Sequence, residues 1–137
     1  MPANLPIAFV EDDPSFSRAV ARFLSVSGYE VRTFASAEEF LDTPPESYGC
    51  LIFDYQLPGI SGLELFQQLL ATGPQHSAIF ISAQDEGDIR EKVAEIPGCA
   101  FLRKPFVVAE LLKAVRVQLN NHRPSLLTNS TPDQPLP

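Results

Sequence analysis

The segment Leu51-Ile52-Phe53-Asp54-Tyr55-Gln56-Leu57-Pro58-Gly59 decides the architecture. Three apolar residues run into a single carboxylate and then into a turn that holds Pro58 and Gly59. A short apolar run bounded this way is the pattern of a strand buried on both faces, the usual condition in a parallel sheet. Asp54 then stands at the C-terminal tip of that strand, the edge along which open α/β sheets bind ligands. A single Asp in such a place often does no more than cap a loop. Its meaning therefore depends on what the other strand ends carry.

Toward the N-terminus, Ile7-Ala8-Phe9-Val10 reads as a first buried strand that stops at Glu11-Asp12-Asp13-Pro14. Asp13 suits the N-cap and Pro14 the first helical position. The helix that follows presents Phe16, Val20, Phe23, Leu24 and Ser27 on one face, and Gly28 stops it. Tyr29 to Phe34 alternates like a strand near a sheet edge. Ser36-Ala37-Glu38-Glu39 forms a capping box for a short helix with Phe40 and Leu41 inward, broken by Pro44-Pro45.

Beyond Asp54, Ser61-Gly62-Leu63-Glu64 is a second capping box. Its helix carries Leu63, Phe66, Leu69 and Leu70 inward and closes at Gly73-Pro74. Ala78-Ile79-Phe80-Ile81 is a fourth buried strand that ends in Ser82-Ala83. A polar helix from about Glu86 to Glu95 has only Ile89, Val93 and Ile96 as apolar anchors. Phe101-Leu102-Arg103 makes the fifth strand, stopping at Lys104-Pro105. The last helix sets Val108, Leu111, Leu112, Val115 and Leu119 on one stripe. Strands alternating with helices in this way predict an α/β fold, a doubly wound five-stranded parallel sheet with five helices divided between its faces. The expected domain covers residues 1–121. Residues 122–137 turn to Asn, Ser, Thr, Pro and Gln without periodicity and are expected to be a disordered C-terminal tail.

The 137 residues, 45% of them hydrophobic, suffice for one domain with a sizeable core. A formal net charge of -7 repels phosphate backbones, so direct nucleic-acid binding is not expected. The N-terminus lacks the pattern of a signal peptide, and no run reaches the ~20 apolar residues of a membrane span. A cytoplasmic location is the resulting expectation. Cys50 and Cys99 each stand just before a predicted strand without metal-ligand spacing or a CxxC pair, as small buried thiols do. His76 and His122 have no partner in the sequence that suggests catalysis.

In a parallel sheet all the strand tips share one edge. The first strand brings Glu11 and Asp12 there, the third Asp54, the fourth Ser82 and the fifth Lys104. Two like charges ~4 Å apart cost about 4 kcal/mol at an effective dielectric of 20, so gathered carboxylates need positive charge. Lys104 provides one unit, and an all-oxygen site with room for water suits Mg²⁺. Singly, each residue has a plainer use: Asp13 as a cap, Glu11 as a solvated acid, Ser82 in a turn, Lys104 as a surface charge.

Taken in order, Val10-Glu11-Asp12-Asp13-Pro14, Phe53 to Gly62, Ile81-Ser82-Ala83 and Phe101-Leu102-Arg103-Lys104-Pro105-Phe106 resemble the receiver domain of two-component response regulators, from about Leu5 to Leu119. The Leu57-to-Gly62 loop and the Phe101-to-Phe106 ending are most similar to receivers that precede LuxR-type DNA-binding domains. The resemblance implies a sheet of order 2-1-3-4-5 and an Asp54 that takes a phosphoryl group from a histidine kinase or phosphotransfer protein. It implies Mg²⁺ held by Asp12 directly, by Glu11 through water, by Asp54 and by the backbone carbonyl of Gln56. Lys104 and Ser82 would contact the phosphoryl oxygens, and Phe101 would be the aromatic that swings inward. The face remodelled for a downstream protein target would be the fourth helix, fifth strand and fifth helix, with a phosphorylation-dependent homodimer left open.

The sequence departs from the usual pattern at Glu11, where Asp is commoner, and at Ile96-Pro97-Gly98-Cys99, where Pro97 is expected to shorten the fourth helix. Gln56 and Gln84 flank the phosphate entrance, where the family varies. The principal reading is a single-domain receiver that catalyses only its own phosphorylation and dephosphorylation. The alternatives are a regulatory receiver fragment of a LuxR-type transcription factor and a binding module independent of phosphorylation. A phosphatase with an Asp nucleophile resembles a pattern with a second Asp two residues on, where this chain has Gln56.

Overall fold

The three strands that are buried throughout are the three at the centre of the sheet. β1 (Ile7–Val10), β3 (Cys50–Asp54) and β4 (Ala78–Ser82) are buried along their whole length. β2 (Val31–Phe34) and β5 (Ala100–Arg103), which mix polar with apolar residues, lie at the edges. All pairings are parallel and the order is β2-β1-β3-β4-β5. This computed structural model describes residues 5–44, 47–72, 77–83, 87–96 and 98–121. Pro45, Gly73-Pro74, His76, Gln84, Glu86, Pro97, His122 and the segment 122–137 lie outside them.

Alternation along each strand makes two cores. Val10, Phe53 and Phe80 face α2 (Ala37–Leu41), α3 (Gly62–Thr72) and α4 (Gly87–Ala94). Ile7, Phe9, Ile52, Ile79 and Ile81 face α1 (Pro14–Val26) and α5 (Val108–Asn121). The first core is aromatic: Phe40 meets Phe53 edge-on with centroids 5.4 Å apart, and Phe80 meets Phe66 at 5.6 Å. Edge-to-face contacts of this kind add to area burial because ring edges and faces carry opposite partial charge.

The caps form as the sequence predicts. The Asp13 carboxylate accepts from the Ser15 and Phe16 amides at 3.0 and 3.4 Å, with Pro14 in the first turn. Ser36 Oγ accepts from Glu39 N at 3.1 Å, and the Glu39 carboxylate reaches back to Ala35 N. The second box is reciprocal, with Ser61 Oγ accepting from Glu64 N and Glu64 Oε1 from Ser61 N. Gly28 takes φ +101° just beyond α1, the left-handed conformation that ends a helix.

The inward faces differ in detail. Leu41, Leu70, Val108 and Ser27 are exposed, whereas Leu65 is fully buried. In α3 the buried stripe is Leu65, Phe66 and Leu69, one step round from the Leu63–Leu70 pair. Spacing reports direction around a helix axis, but not which turn has a neighbour opposite it. Cys50 is the first residue of β3 rather than a residue before it, and burial pushes its thiol up to about 12. Gln118, unremarkable in sequence, is buried in the α5 stripe. It accepts from Ser77 Oγ and donates to the Gly98 carbonyl, both at 2.6 Å.

The loop after β3 folds back closely enough that Gly62 N donates to Tyr55 O at 2.9 Å. A Cβ at Gly62 would run into the Asp54 carbonyl oxygen and approach Tyr55 Cα. Both are backbone and cannot rotate away. Gly62→Ala is therefore expected to cost about 2 kcal/mol in urea unfolding. Unchanged stability would show that the loop relaxes freely.

Candidate functional site

The order β2-β1-β3-β4-β5 means that the connections leave β1 and β3 in opposite directions along the sheet. Their C-terminal ends flank the topological switch point, where a crevice opens. Val10 pairs with Phe53, so Glu11 and Asp54 follow as the next residues on neighbouring strands. Hydrogen bonds continue past the strands and fix the tips: Glu11 N to Phe34 O at 2.9 Å, Tyr55 N to Ile81 O and Lys104 N to Ser82 O, both at 2.7 Å. Glu11, Asp12, Asp54, Ser82 and Lys104 thus stand on one edge, as their sequence positions predict.

Lys104 joins three elements. Its Nζ donates to Glu11 Oε1 at 3.1 Å and to Asp54 Oδ2 at 3.4 Å, and lies 4.3 Å from the centroid of the Phe16 ring. Glu11 and Asp54 are 2% and 6% exposed, so water cannot neutralise them. Burial works against the lysine's charge, yet the Asp54 and Glu11 carboxylates outweigh it and hold the ammonium above the ordinary lysine value. Burial and the neighbouring Asp54 carboxylate push Glu11 up to about 7, against the pull of the Asp13 amide and the Lys104 ammonium. One lysine does not offset the acids gathered here.

Backbone amides orient the carboxylates further. Asp13 N donates to Glu11 Oε2 at 3.1 Å, and Gln56 N donates to Asp54 Oδ1 at 3.0 Å. Glu11, Asp12 and Asp54 each offer an oxygen within 4.8 Å of the others. Hard oxygen donors with an exposed third member fit Mg²⁺, which takes few carboxylates and keeps several waters. Beside them a groove of about 320 Å³ runs between α1 and β2, lined by Asp12, Ser17, Arg18 and Thr33.

Ser82 is fully buried at the end of β4. Phe101 is half-buried on β5, in register with Phe80, under the Arg90 guanidinium. The sequence presents Phe16 only as a member of an apolar helix face. Its contact with Lys104 joins residues far apart in the chain, and no spacing reports it. Ser17 and Arg18 were equally silent, because a groove wall has no periodic signature. Among the described residues no helix is long and apolar enough to cross a membrane.

Residues 7–116 match the family described as the response regulator receiver domain. Transcriptional regulatory protein FixJ of Azorhizobium caulinodans is 35% identical over 120 residues, 87% of this chain and 57% of that protein. Nodulation protein W of Bradyrhizobium diazoefficiens is 41% identical over 109 residues, 77% of this chain and 47% of that protein. The chain spans about half the length of these curated relatives. Among solved structures, the BeF3-activated receiver domain of DrrB from Thermotoga maritima aligns with a TM-score of 0.75 at 28% identity, over 86% of this chain and 99% of that one.

The charge imbalance has a measurable sign. With Glu11 raised from 4.5 to about 7, the metal-free fold holds a proton that the unfolded chain releases. That contribution is full below 4.5 and is lost as pH rises through about 7. Glu11→Gln keeps an oxygen acceptor and removes the charge. Without Mg²⁺ it is expected to match wild type near pH 4.5 and to exceed it by on the order of 2 kcal/mol near pH 8. Equal stability in urea at both pH values would contradict a buried, poorly compensated Glu11.

Proposed function

The chain belongs to the response regulator receiver domain family, and we propose that it is a phospho-accepting switch whose acceptor is Asp54. The observation that carries this reading is Lys104 Nζ, positioned between Glu11 and Asp54 at the switch point of the sheet. The donor is a phosphohistidine on a histidine kinase or phosphotransfer protein. An Asp54 oxygen attacks phosphorus, the O–P bond forms as the P–N bond breaks, and the imidazole leaves, giving an acyl phosphate.

The Gln56 amide holds the Asp54 carboxylate in one orientation, and Lys104 is placed to follow the charge onto the phosphoryl oxygens. Asp12, Asp54 and the backbone carbonyl of Gln56, with Glu11 through water, would hold Mg²⁺, which would supply positive charge to offset that of the transferring group. No second carboxylate occupies the Gln56 position, which supports a protein that catalyses only its own phosphorylation and dephosphorylation.

Phosphorylation adds close to two negative charges and strong acceptors at Asp54. In this reading the Ser82 hydroxyl donates to a phosphoryl oxygen, and Phe101 moves inward. The α4–β5–α5 face is then presented to a downstream protein target or to a second copy. α4 suits such a movement because Ile89 and Val93 are its buried side chains among the described residues. The receiver unit is residues 1–121, and its place of action is the cytoplasm. A regulatory receiver within a longer transcription factor, of the LuxR type, is the second reading. It is favoured by relatives about twice as long that include a transcriptional regulatory protein.

Intact-mass analysis after incubation with acetyl phosphate tests the acceptor. Wild type is expected to gain one phosphoryl group only when Mg²⁺ is present, and Asp54→Asn to gain none. An adduct of equal yield on Asp54→Asn, or none on wild type, overturns the reading.

A further inference from the structure

Arg90 on α4 places its guanidinium carbon 4.9 Å from the centroid of the Phe101 ring. Phe101 lies on the edge strand, pairs with Phe80 and packs only partly against the aromatic core. It has no hydroxyl, so polar bonding cannot favour one ring position over another. What remains is packing and the attraction of the ring face for a cation. Ile89, the residue before Arg90, is buried against the sheet, as is Val93 one turn on. Those anchors bring the exposed Arg90 over the Phe101 ring.

Resting on the phosphoryl switch proposed above, we infer that Arg90 is a positioning residue that retains Phe101 in its half-buried place and so favours the unphosphorylated state. On this inference the cation–π contact belongs to the half-buried ring position and is lost when the ring moves inward. A contact present in one of two states biases the balance between them by its full strength. When Phe101 moves inward the guanidinium loses its ring, and the contact opposes activation. Removing the side chain frees Phe101, and by reciprocity a phosphoryl mimic at Asp54 then binds more tightly.

The sign distinguishes this role from simple charge. Loss of a cation weakens binding of an anionic mimic through the general field. Release of a retained ring strengthens it. The probe is beryllofluoride with Mg²⁺, titrated into the full chain. Arg90→Ala is expected to tighten binding about two- to fivefold, the size of one partly exposed cation–π contact. Arg90→Lys, which keeps a cation, is expected to fall between the two. In a Phe101→Leu background Arg90→Ala is expected to lose the tightening, because no ring face remains to be released.

Unchanged or weaker binding by Arg90→Ala, with normal binding by wild type, overturns the role of Arg90 and leaves the phosphoryl reading intact. Tightening of the same size in the Phe101→Leu background also overturns it, since the effect would not pass through the ring. Failure of wild type itself to bind beryllofluoride removes the phosphoryl reading and this inference together.

Discussion

The structure depends on a surplus of negative charge held at a place where water barely reaches. Glu11 and Asp54 are buried at the tips of adjacent strands, and a single ammonium stands between them. Buried ion pairs seldom add stability, because desolvation consumes what attraction returns. Here the imbalance goes further, and Glu11 is pushed toward protonation near neutral pH. Such a cluster is costly to fold and is ready to accept positive charge. Perturbed groups collected in a crevice mark sites of chemistry more often than sites of stability.

The rest of the chain meets that cost. Two separate cores clamp the sheet, one on each face, and the three central strands contribute to both. Burial on both faces fixes the register of β1 against β3, because a slip of one residue would send every side chain to the wrong side. Register in turn sets Glu11 beside Asp54. Precision at the acidic edge is thus a product of packing in the sheet, where the core residues Val10 and Phe53 directly precede the two carboxylates.

Much of this was legible beforehand. Continuous apolar runs announced the central strands, Asp13-Pro14 and Ser61-to-Glu64 announced two helix starts, and the acids at the strand tips announced the crevice. What sequence could not report were contacts across the fold. Phe16 beneath Lys104, Arg90 over Phe101 and the buried Gln118 all join residues remote in the chain. The misplaced inward residues, Leu41, Leu70 and Val108, have a different origin. Each has helical spacing appropriate to a core face, and each falls where the opposing layer ends or the stripe turns away.

Gln118 gives α5 two unequal ends. Its amide is tied to Ser77 just before β4 and to Gly98 just before β5, at the sheet edge opposite the acidic cluster. At the other end of the helix, Val107 and Val108 are 62% and 46% exposed and press on little. The C-terminal end is held by two short polar bonds and the N-terminal end by apolar contacts, those of Leu111 and of Phe106 against Phe16, so the first is the stiffer of the two. Apolar contacts can slide where directed polar bonds cannot, so a shift of α5 is accommodated more readily beside Lys104 than at Gln118. The far edge of the domain can stay still while the near edge tilts.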